Sequence, residues 1–523
     1  MSAVLSRRAI LGGLMSGVAS VAAAQAPLTS LRPLARTAAD AAAPDVSLIP
    51  RIAPRVRASI EDMIADANLG GTVGCVLADA QTGEILETIE ADVAVPPASV
   101  TKSVTALYAL DALGGDYRFA TRLFATGPIE DTVLRGDLIL AGGGDPTLSA
   151  DHLAELADDL NAAGVTRVAG RFLCYRGALP YAEEIEPSQL DYLGYNPAVS
   201  GLNLNYNRVH FEWRRVNGSW QTTMDARTEN RVPPVSMARV SLVDRRTPVF
   251  DTTSPDRWTV ALSALGNGGS RWLPVRQPAL YAGDVFQTLA GDLDIDLPRP
   301  EVVDTLPDGM EIARHDSPTL RSILNEMLLY STNLTAEVCG LAATRAKLGR
   351  PVDIVGSAEE MTRWLGETYG VECDFKDHSG LSDANRISAN AMTRIQLQVG
   401  VDGPLKPILR RIPMRDAENR RLDDYPITVR AKTGTLNFVS ALSGYIETPD
   451  GTDLVFTIFT ANLDRRERGK ATGDEVPEGS IAWNRRSRRL QQRLLQRWGL
   501  IYRNTPELPE LEDVDLNEAE LTD

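Results

Sequence analysis

Between Phe119 and about Pro307 the chain changes texture, and that break constrains the fold more than any other feature. Before it, Ser99 to Leu113 carries a strong helical pattern, preceded by Pro96-Pro97 and stopped at Gly114-Gly115. After it, helical periodicity returns at Ser317 to Leu329, Leu334 to Lys347, Glu359 to Tyr369 and Asn390 to Val399. In between lie short strands, Gly and Pro turns and Arg/Asp loops. The most polar part runs from Val216 to Gly269, with turns at Asn217-Gly218 and Gly266-Asn267-Gly268-Gly269. A chain of 523 residues, at roughly 100–200 residues per domain, makes two to four domains with more than one core.

The flanks of this break complete the pattern. Ser59 to Ala67 reads as a short helix, Gly71 to Ala80 as a strand, Gln81-Thr82-Gly83 as a turn and Ile85 to Ile89 as a second strand. Near the C-terminus Ile427 to Lys432, Ser440 to Thr448 and Asp453 to Thr460 alternate as strands, with a hairpin turn at Pro449-Asp450-Gly451. Ile481 to Trp498 is a basic amphipathic helix packed through Leu490, Leu494 and Trp498. At the N-terminus Arg7-Arg8 precede an uncharged stretch from Ala9 to Ala24 and the small-residue run Ala22-Ala23-Ala24-Gln25-Ala26. That is the pattern of a twin-arginine export signal, cleaved near Ala24 or Ala26. A Pro/Ala-rich linker follows to about Pro50, and Glu507 to Asp523 form an acidic tail expected to be disordered.

Composition removes several function classes. The net charge of −16 argues against a nucleic-acid binder, which needs a basic footprint. Cys75, Cys174, Cys339 and Cys373 are too few for a disulfide scaffold and lack the close pairs of a zinc site. Buried free thiols are the expectation. His152, His210, His315 and His378 are scattered, with no metal-ligand spacing and no candidate for Ser-His catalysis. No metal and no cofactor is expected.

Lysine usage is the most pointed signal. Only six lysines occur, Lys102, Lys347, Lys376, Lys406, Lys432 and Lys470, against 48 arginines. Arginine is effectively always charged, whereas lysine loses its proton where its surroundings disfavour charge. Lys102 belongs to Ser99-Val100-Thr101-Lys102 at the start of the first strong helix. A spacing of three brings hydroxyl and amine to one helical face, and the helix N-terminus favours negative charge on the serine oxygen. A serine hydroxyl needs a base, and a buried lysine can be one. Lys432-Thr433-Gly434-Thr435 closes the strand Ile427 to Lys432. There a cation and two hydroxyls could hold a carboxylate, and Gly434 would let a substrate backbone approach. Ser331-Thr332-Asn333, between two helices, offers a hydroxyl to relay a proton and a carboxamide to hold an amide; alone it would read as a helix N-cap.

The order S-x-x-K, S-x-N, K-T-G is the set of active-site-serine β-lactamases and penicillin-binding proteins. The wide gap between Ser99 and Ser331 resembles the D-alanyl-D-alanine carboxypeptidase/endopeptidase family, the low-molecular-mass class C penicillin-binding proteins. Other segments carry the same resemblance: Asp79-Ala80-Gln81-Thr82-Gly83, the run Leu140 to Leu148, the run Ser200 to Asn207, and Asp377-His378-Ser379-Gly380-Leu381-Ser382 with Asn385 to Ser388. It extends from about Ile52 to Thr460. The resemblance implies an α/β (α+β) transpeptidase-like fold, an antiparallel sheet flanked by helices, with two mainly β inserted domains. The expected organisation is a signal at 1–26, a linker at 27–50 and a catalytic domain at 51–116 and 313–504. The inserted domain would occupy 117–215 and 279–312, the second domain nested in it 216–278, and the tail 505–523. Three departures stand out. His378 replaces the usual Gly, Ile412 to Ala417 replaces a Gly-rich stretch, and Asp464 to Ser480 has no recognised counterpart.

What the resemblance implies chemically is acyl transfer in the periplasm on peptidoglycan peptides ending in D-Ala-D-Ala, with β-lactams as covalent inhibitors. Ser99 would attack, Lys102 accept its proton, and Ser331 pass the proton to the leaving amine. Asn333 would hold the peptide; Lys432, Thr433 and Thr435 would bind the terminal carboxylate. Backbone N–H groups of Ser99 and Thr435 would form the oxyanion hole, worth roughly 2.7–4 kcal/mol per donor. Lys102 is expected to be neutral because Lys432 lies nearby, and Asp191 to pair with a free amino group on the peptide. Two rivals are a β-lactamase, which would release penicillin rapidly, and a non-catalytic wall-binding protein, which should have lost Ser99 or Lys102.

Overall fold

The computed structural model describes residues 59–416 and 418–502, so the export signal, the linker and the acidic tail lie outside the described residues. A six-stranded antiparallel sheet organises the first unit. Its order is Arg410–Arg411, Thr428–Leu436, Val439–Glu447, Asp453–Ala461, Thr72–Asp79, Ile85–Ile89. Strands from the two ends of the chain therefore meet at the centre, with Cys75 opposite Ile458.

Both faces of this sheet are covered. On one, Cys75, Leu77, Val429, Leu442, Phe456 and Ile458 pack against Trp483, Leu490, Leu494 and Trp498 of the terminal helix Ser480–Ile501. On the other, Val76, Ala441, Tyr445, Val455 and Phe459 join a core built with helices Thr101–Leu113, Leu320–Tyr330, Asn333–Leu348, Ile354–Tyr369 and Ala389–Val399. Burial on both faces explains why Val439–Glu447 is buried throughout until its last residue, despite its alternation of small polar and apolar residues. The polar alternants are satisfied internally: Ser443 Oγ donates to Gln396 Oε1 at 2.9 Å, and Thr393 Oγ1 to Thr457 Oγ1 at 2.9 Å.

The long intervening segment forms two further layers. A mixed five-stranded sheet, ordered Pro300–Val303, Phe172–Tyr175, Leu138–Ala141, Ala120–Ala125, Met310–Asp316, also carries helices Ala150–Ala162 and Pro278–Gly291. Two three-stranded sheets are nested in it, one of Ser219–Asp225, Arg208–Val216 and Gly268–Pro274, the other of Arg239–Val243, Arg257–Ala261 and Phe250–Ser254. Two boundaries differ from the sequence reading. Arg208–Val216 pairs along its whole length with nested strands, so the nested unit starts near Arg208 rather than Val216. Met310–Asp316 pairs with Ala120–Ala125, so the insert closes at Asp316 rather than at residue 312. One apolar core runs through both layers, from Leu140 and Phe172 to Phe211 and Trp258. None of the four cysteines is bonded to another, and three are buried. Among the described residues no helix is long and apolar enough to cross a membrane.

Candidate active site

Ser99 lies in a 3-10 turn, Ala98–Val100, that feeds directly into helix Thr101–Leu113. Ala98 enters it with a φ of 46°, a left-handed conformation that is costly for a residue with a side chain and tends to cluster at functional sites. The turn leaves Ser99 half-buried while Lys102, one turn on, is fully buried. Lys102 Nζ is 3.1 Å from Ser99 Oγ and donates to Asn333 Oδ1 at 2.8 Å and to the Ser379 carbonyl at 2.6 Å.

Ser331 and Asn333 come from the junction of two helices. Ser331 ends Leu320–Tyr330 in the left-handed conformation, and Asn333 is the first residue of Asn333–Leu348. The N-cap position is Thr332, whose side chain makes no cap bond, so the triplet is not a capping motif. Asn333 Nδ2 donates to the Tyr195 carbonyl at 2.8 Å, which ties the insert to the site. Lys432 Nζ donates to Ser331 Oγ at 2.9 Å and to the Thr433 carbonyl at 2.9 Å. Ser99, Lys102, Ser331, Asn333 and Lys432 thus form one connected cluster drawn from three distant stretches of sequence.

The K-T-G segment does not end its strand. Thr428–Leu436 runs through it, and Lys432, Gly434 and Thr435 pair with Ser443, Ala441 and Ser440. Gly434 has a reason other than room for substrate: a Cβ there would lie 2.6 Å from the Pro97 carbonyl oxygen and 2.9 Å from the Ser99 nitrogen. Only glycine lets this strand lie against the nucleophile turn. Thr435, one residue on, is exposed.

The electrostatics also depart from expectation. Lys102 is pushed down to about 8, and burial is the main cause; Asp377 and Glu337 oppose it. Lys432 lies well below the ordinary lysine value, again from burial first, then from the charges of Lys102 and Arg410. The repulsion between the two amines is expressed on Lys432, so it is burial and not the proximity of Lys432 that lowers Lys102. Glu337 and Asp377, both fully buried, are raised by burial.

Asp191 is exposed, and its carboxylate has no hydrogen-bond or ion-pair partner among the described residues. Its carbonyl accepts from Arg276 at 2.7 Å. The same guanidinium donates to the carbonyls of Glu183 and Asn196, fixing the loop that includes Tyr195.

The three sequence departures find physical places. His378 is fully buried, 2.7 Å from Ser357 Oγ, and burial pushes it down to about 3. A Cβ on Gly340 would sit 2.2 Å from its ring, so a glycine on the facing helix makes the space His378 fills. Ile412 and Met414 are buried, and Met414–Arg415 pairs with Arg421–Leu422 as a small hairpin at the sheet edge. The segment from Asp464 to Ser480 bridges the loop at Asp383 and the nested unit. Arg466 and Lys470 donate to Asp383 at 2.7 and 2.9 Å, and Glu475 accepts from Arg271 of the nested unit at 3.0 Å. Glu337 was legible as a lone charge in the apolar run Leu334 to Ala343; nothing local in the sequence announced Arg271 and Glu475 as partners.

Known proteins resemble this chain in sequence and in fold. A profile of the D-Ala-D-Ala carboxypeptidase 3 (S13) family matches residues 56–476. A D-alanyl-D-alanine carboxypeptidase of an Actinomadura species is 28% identical over 444 residues, covering 77% of this chain and 80% of that protein. A carboxypeptidase of Mycobacterium tuberculosis is 28% identical over 467 residues, covering 86% and 87%. The crystal structure of penicillin binding protein 4 from Haemophilus influenzae shares the fold, with a TM-score of 0.66 at 18% identity over 84% of this chain and 99% of that one.

Proposed function

This chain belongs to the D-Ala-D-Ala carboxypeptidase 3 (S13) family, and on that premise we propose that it hydrolyses peptidoglycan stem peptides ending in D-Ala-D-Ala through a Ser99 acyl-enzyme. The observation that carries this reading is the fully buried amine of Lys102, 3.1 Å from Ser99 Oγ. Held near 8, that amine is close enough to neutrality to accept the hydroxyl proton.

Ser99 Oγ attacks the penultimate D-alanine carbonyl while its proton moves to Lys102 Nζ. The oxyanion forms at the N–H groups of Ser99 and Thr435, a reading supported by the close approach of Gly434 to the Ser99 turn. The proton taken by Lys102 is passed through Ser331, which is hydrogen-bonded to Lys432, to the leaving nitrogen; D-alanine departs and Lys102 is neutral again. Lys432, Thr433 and Thr435 receive the terminal carboxylate, whose negative charge offsets the crowding of buried amines. Asn333 holds the peptide amide. Water then attacks the ester, with Lys102 as base, and Ser99 is regenerated. A β-lactam follows the first half of this path because its ring amide mimics the D-alanyl-D-alanine bond. Asp191, exposed with a free carboxylate, receives a substrate amino group. The paired arginines and the following uncharged run support periplasmic action.

The test is D-alanine release from a stem pentapeptide, with a cross-linked muropeptide dimer as the second substrate. Wild type is expected to release D-alanine and Ser99→Ala to release none. Release that survives in Ser99→Ala, or a folded wild type inactive on both substrates, overturns the reading.

A further inference from the structure

The mechanism above uses neither Glu337 nor Asp377, yet both are fully buried beside the base. Glu337 stands one helical turn after Asn333, so the same face of Asn333–Leu348 presents both toward Lys102. Its carboxylate accepts the backbone N–H of His378 at 3.1 Å and of Ser379 at 2.9 Å. Asp377 accepts the N–H groups of Gly380 at 2.7 Å and Ser382 at 2.6 Å, and Asn385 Nδ2 at 2.9 Å. Between them the two carboxylates fix both sides of Ser379, whose carbonyl accepts from Lys102 at 2.6 Å.

Neither carboxylate has a Lys, Arg or His within ion-pair distance among the described residues. The charged and titratable groups facing Lys102 come from each element packed on it. Glu337 comes from the helix beside it, Asp377 and the neutral His378 from the loop, and Lys432 with Arg410 behind it from the sheet. Two carboxylates and two amines lie buried close together. There one proton more or less on the acids is felt directly by the amines.

We propose that Glu337 and Asp377 are positioning residues for Lys102, setting both the direction in which its amine points and the charge it carries. The pair's negative charge, itself reduced because burial raises both carboxyls, returns to Lys102 part of the basicity that burial removes. Without it the amine would be neutral over a wider range but too weak a base to take a serine proton efficiently. This inference rests on the reading of Lys102 as the base.

Glu337→Gln separates the two roles, since its carbonyl oxygen still accepts the loop N–H groups while the charge is gone. The readout is the rate of penicillin acylation against pH in the full chain. The acid limb is expected to move down by about one pH unit or more, roughly a tenfold gain on that limb, while the plateau falls. Glu337→Asp, which keeps the charge, is expected to return the limb toward its wild-type position. General structural damage would lower the rate at every pH without moving the limb. An unmoved limb in a folded Glu337→Gln overturns the inference. Should that variant not fold, ε-15N-lysine spectra of the wild type, with six lysines to assign, decide instead. The Lys102 signal is expected to respond in two linked steps as amine and carboxylates titrate; a single independent step overturns the proposal. A wild type that takes no penicillin at all would instead mean that the Ser99 reading has failed.

Discussion

Lysine 102 and lysine 432 differ from the other four lysines in what surrounds them. Lys347, Lys376, Lys406 and Lys470 each reach a carboxylate, at 2.7, 2.7, 2.6 and 2.9 Å. The two site lysines instead face hydroxyls, a carboxamide and carbonyls. That contrast explains why an otherwise Arg-biased chain keeps an amine at these two positions. The four others accept their lysines as ordinary ion-pair partners. A lowered amine has a consequence for stability. Between about 8 and the ordinary value of 10.5 the unfolded chain holds a proton on Lys102 that the folded chain has lost. Stability therefore rises with pH through that window, and the cost of a buried ammonium is fully felt below it. Lys102→Met is accordingly expected to lose acylation yet match or exceed wild-type thermal stability at pH 7, with its advantage shrinking between pH 8 and 10.5. Melting curves of both proteins across that range check this. A margin that grows with pH would show that Lys102 is not held below its ordinary value.

At the level of elements, the site exists because a strand and a turn from opposite ends of the chain touch. Gly434 permits that contact, with backbone atoms of Pro97 and Ser99 where a Cβ would have to go. Neither neighbour is a flexible side chain that could swing aside. Gly434→Ala should therefore push the strand off the nucleophile turn. The expected cost is about 1–3 kcal/mol of stability, as for overpacking elsewhere, with a larger loss in acylation rate than in binding. Thermal melts and single-turnover acylation measure the two. A variant acylated at the wild-type rate would contradict this account. Motif order and element type were readable before the structure because S-x-x-K, S-x-N and K-T-G each depend on local spacing. The extent of the K-T-G strand was not, because Thr433 to Leu436 are held extended by the register with Val439 to Leu442, a tertiary contact. His378 was likewise opaque. Its burial depends on Gly340, on a helix far away in sequence.

Across the whole molecule, the long break in texture between Phe119 and about Pro307 becomes a second body leaning on the first. Its own core, from Leu140 and Phe172 to Trp258, makes it a folding unit rather than a set of loops. It reaches the chemistry at two points, the Tyr195 carbonyl held by Asn333 and the ion pair of Arg271 with Glu475. Arg271 also lies 5.0 Å over the Tyr192 ring and 4.7 Å over Phe250. The nested unit and Asp464 to Ser480 are thus tied to each other through Arg271 and Glu475. The presence of an insert was visible as a change in composition. Where it leans was not, because the contacts pair residues 138 and 204 positions apart. The central claim is that Ser99, held 3.1 Å from the Lys102 amine, is the nucleophile. Intact mass after incubation with penicillin, followed by peptide mapping, tests this most directly. One adduct on the peptide containing Ser99, slowly released and missing in Ser99→Ala, is the expected result. An adduct on another residue, or no adduct on the folded wild-type protein, would contradict the account.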